Sequence, residues 1–413
     1  MTTSAKLQHG ILVNQSQFLM QLLQVFLVGL TIGMTRTVIP GLAETEFGLA
    51  GEQFFLLTSF VIVFGVVKAV MNLLAGKFSE VYGRKFVLIS GWLVALPIPF
   101  MLLYAPNWNW VIAATFLLGI NQGLAWSMAL NSKLDLARPT QKGLVNGLNE
   151  FSGYAAVGIA GVVTAYFVNL YGAREGLFVF SSFVILAGWL SAMFLVKDTM
   201  RWADLHQQDA EPSEHQSLGQ LFKTASWQDR NLLALNQAGL VEKFTDALVW
   251  IFLPVYFLSQ NLTLVEGSVI IMVYAVVWGS SQLVTGPLSD KIGRKGLIVW
   301  GMWLCGLGVL AIPLTQGSLV WTLEAAIIGI GMAMLYPNLG ASVADFSVVR
   351  HRASLIGIYR FWRDMGYAVG ALLMGVLAQW SGNMQVAFWL VGIAMLLSGL
   401  WVHWVIPKKR KVS

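Results

Sequence analysis

The sequence predicts an all-α membrane protein, with twelve membrane-crossing helices arranged as two similar six-helix halves. Three observations carry this. First, the 413 residues are 57% hydrophobic and only 11% charged. A soluble domain carries roughly 25% charged residues, so most of this surface has to face lipid. Second, apolar runs of about the 20 residues needed to cross a bilayer recur along the chain. Third, the stretch Gly76-Lys-Phe-Ser-Glu-Val-Tyr-Gly-Arg-Lys85 returns as Gly286-Pro-Leu-Ser-Asp-Lys-Ile-Gly-Arg-Lys295, 210 residues later. Five positions are identical and a sixth keeps its acid, Glu80 against Asp290. A charged link repeated at half-length between apolar segments implies a duplicated membrane unit.

The first six spans are expected near residues 18–41, 53–75, 85–105, 109–132, 143–170 and 175–196. The second six are expected near 231–259, 265–288, 296–315, 319–345, 353–381 and 385–406. The runs are too long for strands and lack their alternation. Residues 1–17 are polar, and the first apolar run is too long for a cleavable signal and lacks a processing site. The chain therefore divides into a bundle over 1–196, a linker over 197–230 and a second bundle over 231–413. The linker holds Asp198, Asp204, Asp209, Glu211, Pro212 and Glu214, with a short amphipathic helix expected around Leu218–Phe222. The offset of 210 persists in Gly29 and Gly239, Gly119 and Gly329, Asp135 and Asp345, Lys142 and Arg352, and Gly147 and Gly357. Repetition in one direction gives parallel halves about an axis along the membrane normal.

The net charge of +6 does not point to nucleic acid. Of 26 Lys and Arg, 20 lie at the N-terminus, in alternate loops, in the linker or in the tail Pro407-Lys-Lys-Arg-Lys411. That asymmetry places those loops and both termini in the cytoplasm, in a multi-pass plasma (inner) membrane protein. Cys305 is the single cysteine, so no internal disulfide forms. No phosphate loop, metal cluster or nucleophile triad stands out. No cofactor is expected and an enzyme is not, while a receptor would usually carry an output domain.

The repeated motif, Gly76, Glu80, Gly83, Arg84 and Lys85 with Gly286, Asp290, Gly293, Arg294 and Lys295, resembles the loop signature of the major facilitator superfamily. The basic residue usual after the acid is present as Lys291 but replaced by Val81 in the first copy. The resemblance implies a twelve-helix fold of two rocking bundles and a small-molecule substrate bound between them. It also implies a conformational gate at these ten residues. A distant similarity to drug/proton antiporters rests on Gln122-Gly123, Gly153 and Gly158. Gly119 stands where that group has Arg, and Asn149, Tyr154 and Val157 replace its Gly, Pro and Gly.

Ionisable groups at bilayer depth cost at least about 2.5–3.5 kcal/mol each and usually face a cavity or a partner. Arg36 in the first helix and Asp246 in the seventh share the repeat offset. The resemblance implies that these two helices face each other across the central cavity, where the pair is expected to bridge the halves, or one of them to bind substrate. Glu242 lies four residues before Asp246, on the same helix face. The pair is a candidate proton carrier, with Lys243 able to neutralise Asp246. Glu150 in the fifth helix aligns with Arg360 or Arg363 in the eleventh. Arg360, Arg363 and Asp364 read either as an anion site or as a gate in which Asp364 meets Arg84 and Lys85. Lys68 is set to neutralise a carboxylate, Glu150 or Asp364. Asn121, Gln122 and Trp126, with Tyr336 and Asn338 in the tenth helix, suit a substrate pocket, or else bonds between helices. The expected function is secondary transport of a small organic solute by a monomer, as proton-coupled efflux. The alternative is uptake or exchange of an organic anion held by Arg36, Arg360 and Arg363.

Overall fold

The computed structural model describes residues 7–49, 53–207, 217–347 and 351–407. Among the described residues there are twelve long helices and no strand. They are α1 (Gln15–Thr45), α2 (Phe54–Tyr82), α3 (Arg84–Leu103), α4 (Trp108–Leu136), α5 (Lys142–Tyr171) and α6 (Ala173–Phe194). After the linker come α7 (Arg230–Ser259), α8 (Leu264–Ile292), α9 (Arg294–Leu314), α10 (Ser318–Phe346), α11 (Arg352–Ser381) and α12 (Gln385–Val405). Ten of these carry a window apolar enough to cross a membrane; α7 and α11 do not. The reason is their charge: α7 holds Glu242, Lys243 and Asp246, and α11 holds Arg360, Arg363 and Asp364. Both have 30 residues, about 45 Å of helix. Each is long enough to cross, and each is packed among the apolar helices.

Sequence chemistry sets the ends. Asp229 accepts from the N–H groups of Asn231 and Leu232 at the start of α7. Thr263 and Glu266 form a capping box at the start of α8. The repeated motif is mostly helical, not a loop. Gly76 and Glu80 lie in the last turns of α2, and Gly286 in those of α8. Only Gly83 (φ 85°) and Gly293 (φ 92°) take the left-handed backbone that ends each helix. The side chains of Asp290, Lys142 and Arg352 lie outside the described residues, as do Asp209, Glu211, Pro212, Glu214 and the basic tail from Lys408. The linker contains a helix that was not anticipated, Met200–Gln207, and the expected one, Leu218–Lys223. The second lies on α11, where Phe222 meets Phe361 and Trp362.

Within each half, glycine lets two helices approach closely. A Cβ on Gly29 of α1 would stand 2.3 Å from the Gly153 carbonyl oxygen of α5, and one on Gly366 of α11 would stand 2.1 Å from that of Leu240 in α7. The halves meet along α2 with α11 and α5 with α8. At the end away from the termini the halves touch beside a cavity of about 190 Å³ bordered by Pro40, Glu44 and Leu57 of one half and Val255, Leu258 and Met384 of the other. There Phe54 faces Phe252, and the Phe55 N–H donates to Gln379 Oε1 at 3.4 Å. Toward the termini, the space beside Gly76 and Gly286 is open.

Candidate functional site

The site forms where α1, α2, α4, α5, α7, α10 and α11 converge at mid-length. Its centre is an ion pair between the halves. Arg36 Nη1 donates to Asp246 Oδ1 at 2.7 Å, with Arg36 2% and Asp246 0% exposed. The two residues are repeat equivalents. A pseudo-twofold axis brings each position to its own counterpart, so like charges there would repel and opposite charges lock the halves. The Tyr367 hydroxyl of α11 donates to Asp246 Oδ2 and accepts from Arg36 Nη2 at 3.3 Å. Trp250 covers the Arg36 guanidinium at 5.1 Å. Lys243 Nζ sits 3.3 Å from Asp246 Oδ2 and 3.6 Å from Glu242 Oε1. It thus stands between the two carboxylates and also donates to the Tyr154 hydroxyl at 3.3 Å. The rings of Trp278 and Tyr336 lie 4.7 and 5.0 Å from it. Glu242 is fully buried and neither of its oxygens accepts a hydrogen bond among the described residues.

A second cluster lies on α11. Arg363 Nη1 donates to the Tyr336 hydroxyl at 2.8 Å, and its Nε and Nη2 each reach Asp364 Oδ1 at 3.0 Å. Asn72 Nδ2 of α2 donates to Asp364 Oδ2, and Ser127 Oγ of α4 donates to Asn72 Oδ1 at 2.8 Å. Asp364 therefore bridges the halves at mid-length and does not serve the basic motif. That motif is tied down within its own half. Arg84 donates to Asp135 at 3.2 Å and to Ser79, and Thr199 donates to Asp135 at 2.8 Å. Arg294 pairs with Asp345 at the same repeat offset. Asp198 accepts from the Lys85 N–H at 2.9 Å.

Between the clusters lies a chamber bordered by Arg36, Lys68, Trp126, Glu150, Tyr154, Lys243, Tyr336, Arg360, Arg363 and Tyr367. The free space is about 20 Å³, on the order of a single water. The halves must part further to admit a solute. Three charges here lack an ionic partner among the described residues. The Lys68 ammonium meets only the rings of Phe64, Trp126 and Tyr367, at 5.2–5.8 Å. Arg360, partly buried, forms no ion pair or hydrogen bond among the described residues, with Glu150 and Asp364 acting on it from farther off. Glu150 takes one bond, from Asn149 Nδ2 at 2.8 Å, and its buried Oε2 has none. Among the described residues Lys68 thus makes no contact pair with Glu150 or Asp364, nor Glu150 with Arg360 or Arg363, although Asp364 acts on Lys68 and Glu150 on Arg360 from farther off.

Three residues expected at the pocket turn elsewhere. Asn121 donates to the Gly91 carbonyl of α3 at 3.0 Å. Gln122 donates to the Val28 carbonyl and to Thr31 of α1. Asn338 donates to the Met334 carbonyl of its own helix. They join helices, or bond within one. A π-type turn at Gln122–Trp126 separates these roles in α4, with Gln122 facing α1 and Trp126 the chamber; such turns recur at functional sites. Sequence reasoning missed Tyr154, Tyr367 and Lys133. The two tyrosines follow Gly153 and Gly366, a pairing visible in the sequence. Lys133 sits at the edge of an expected span, yet is 0% exposed and donates to the Gln21 carbonyl at 2.9 Å.

The comparisons match this geometry. The family model of the Major Facilitator Superfamily matches residues 22–241 and again 235–413. The proton-coupled antiporter flippase LtaA of Staphylococcus aureus is 24% identical over 391 residues, 93% of each chain. An uncharacterized MFS-type transporter of Methanocaldococcus jannaschii is 20% identical over 317 residues, covering 76% of this chain and 80% of that one. A partially occluded inward open conformation of the xylose transporter XylE from E. coli superposes with a TM-score of 0.75 at 16% identity, over 97% of this chain and 99% of that one. That last likeness shows the fold alone. A duplicated six-helix unit, a repeated basic motif and two family matches that run through both halves make this multi-pass membrane protein a member of the Major Facilitator Superfamily, a transporter and not an enzyme.

Proposed function

We propose that this chain is a secondary transporter of a small organic anion, working by alternating access about the central chamber. One observation carries the reading: among the described residues, Lys68 and Arg360 border the chamber with no carboxylate in contact with either, although Asp364 acts on Lys68 and Glu150 on Arg360 from farther off. A cation held away from water without a contacting counter-ion is costly; Lys68 is buried and Arg360 partly so, and an anionic solute would supply the contact. Trp126, Tyr154 and Tyr336 offer ring faces for an apolar body. Both halves of one chain complete the chamber, which supports a monomer. The basic loops and tail support a plasma (inner) membrane setting with both termini in the cytoplasm.

The test is a thermal-shift screen of purified protein against organic acids and their neutral amides, since a bound ligand raises the melting temperature. Acids should stabilise the wild type, and Lys68→Gln with Arg360→Gln should remove the shift. Stabilisation by neutral or cationic compounds alone would sink the reading.

A second reading is proton-coupled efflux, supported by the likeness to LtaA, a proton-coupled antiporter flippase, and by Asp246 lying among Arg36, Lys243 and Tyr367. Protonating Asp246 would release both cations and let the halves part. Asp246→Asn should then abolish the dependence of transport on a pH gradient while substrate binding persists. Transport by that variant that still follows the gradient would count against Asp246 as the carrier.

A further inference from the structure

The chamber's charges can be sorted into those already answered and those left over. Arg36 answers Asp246, Arg363 answers Asp364, and Lys243 lies between Asp246 and Glu242. What remains without a contacting partner of opposite charge, among the described residues, is two cations, Lys68 and Arg360, and one anion, Glu150; Asp364 acts on Lys68 and Glu150 on Arg360 only from farther off. These three share one chamber yet form no ion pair with each other among the described residues. Lys68 is 8% and Glu150 6% exposed. Lys133 of α4 is close enough for Glu150 to act on its charge, but its hydrogen bond goes to the Gln21 carbonyl and, among the described residues, it makes no contact pair with Glu150. The buried Glu150 Oε2 is an acceptor with nothing to accept from.

A purely anionic solute would answer Lys68 and Arg360 and leave Glu150 Oε2 unmet. A purely cationic one would do the reverse. Each omission leaves a buried charged or polar group unsatisfied, the costliest kind of mismatch. Building on the anion reading above, we infer that the substrate is amphoteric: one acidic group set between Lys68 and Arg360, and one ammonium donating to Glu150. The rings of Trp126, Tyr154 and Tyr336 also favour an ammonium at close range. Amino acids and their derivatives have this chemistry, and so does a zwitterionic lipid head group. Glu150 is thus the residue that separates an amino acid from the matching plain acid.

The experiment uses the full chain in nanodiscs. Binding is measured for a panel of L-amino acids, alanine through tryptophan, each beside its desamino acid, propanoate through indole-3-propanoate. A parallel series replaces phosphatidylglycerol in the disc by phosphatidylethanolamine. The wild type should bind at least one amino acid about tenfold or more tighter than its desamino acid, the scale of one charged hydrogen bond. Glu150→Gln should erase that preference, and Glu150→Asp should restore part of it. A preference absent for free solutes, but present as Glu150-dependent stabilisation by phosphatidylethanolamine, supports the inference with a lipid as its source. Wild-type protein that binds plain acids as tightly as amino acids, with no Glu150-dependent lipid effect, overturns it and leaves the anion reading standing. Binding of neither class, with no lipid effect, overturns both.

Discussion

Arg36 and Asp246 carry the clearest consequence of duplication. Each is the other's repeat equivalent, they touch at 2.7 Å, and water is excluded from both. Removing one partner of such a pair leaves a bare buried charge, a loss of about 3–5 kcal/mol. Arg36→Ala and Asp246→Ala should each lower the melting temperature sharply. The exchange Arg36→Asp with Asp246→Arg should recover much of the loss, because the two positions are related by the pseudo-twofold axis. An exchanged protein no more stable than the single variants would remove the axial pair as the cause. Arg36→Lys, which keeps the charge but loses the planar fork shared by Asp246 and Tyr367, should fall between. The pair could be picked out from the sequence by its offset of 210 and its opposite charges, with the family resemblance to bring the two helices face to face. Tyr154 and Tyr367 were not, because the direction of a side chain depends on how its helix is rotated in the bundle. Lys133 was hidden for a different reason: a charge at the edge of an apolar run reads as a loop residue, whereas α4 continues to Leu136 and buries it.

The helix α2 shows how one element serves two environments. In its first half Gly65 lies against α11, and a Cβ there would stand 2.6 Å from the Ala368 backbone nitrogen. In its last turns Gly76 faces open space. Gly65→Leu should therefore cost stability through overpacking, about 1–3 kcal/mol, and Gly76→Ala should leave the melting temperature within about 1 °C. If the ends near Gly76 close on each other later in the cycle, Gly76→Leu should slow transport without lowering stability; normal transport by that variant would show that they do not. Helix number and order could be read from apolar runs, and the repeat located both motifs. Helix ends could not. The run ends where lipid ends, whereas α2 carries on to Gly83 because nothing before that glycine breaks the helix. The π turn in α4, which packs against α1, α2 and α3, left no trace in the sequence.

The arrangement of the two halves makes a claim about motion. At the end away from the termini they touch through Phe54 with Phe252 and Phe55 with Gln379, beside a cavity of about 190 Å³, and the chamber lies at mid-length. Transport by alternating access requires that these contacts between the halves break. Thr58 of α2 and Gly375 of α11 offer a direct test, because a Cβ on Gly375 would lie 3.2 Å from Thr58 Cβ, close to the spacing of a disulfide, about 3.5–4.5 Å. Cys305 is the single native cysteine and is buried, so Cys305→Ser provides a clean background. In that background, Thr58→Cys with Gly375→Cys should cross-link on oxidation and stop transport, and a reductant should restore it. Each single cysteine variant should transport under both conditions. Transport that continues through a fully cross-linked population would mean that this end need not separate. The rocking of two rigid bundles about the Arg36–Asp246 pair would then have to give way to movement of individual helices within one half.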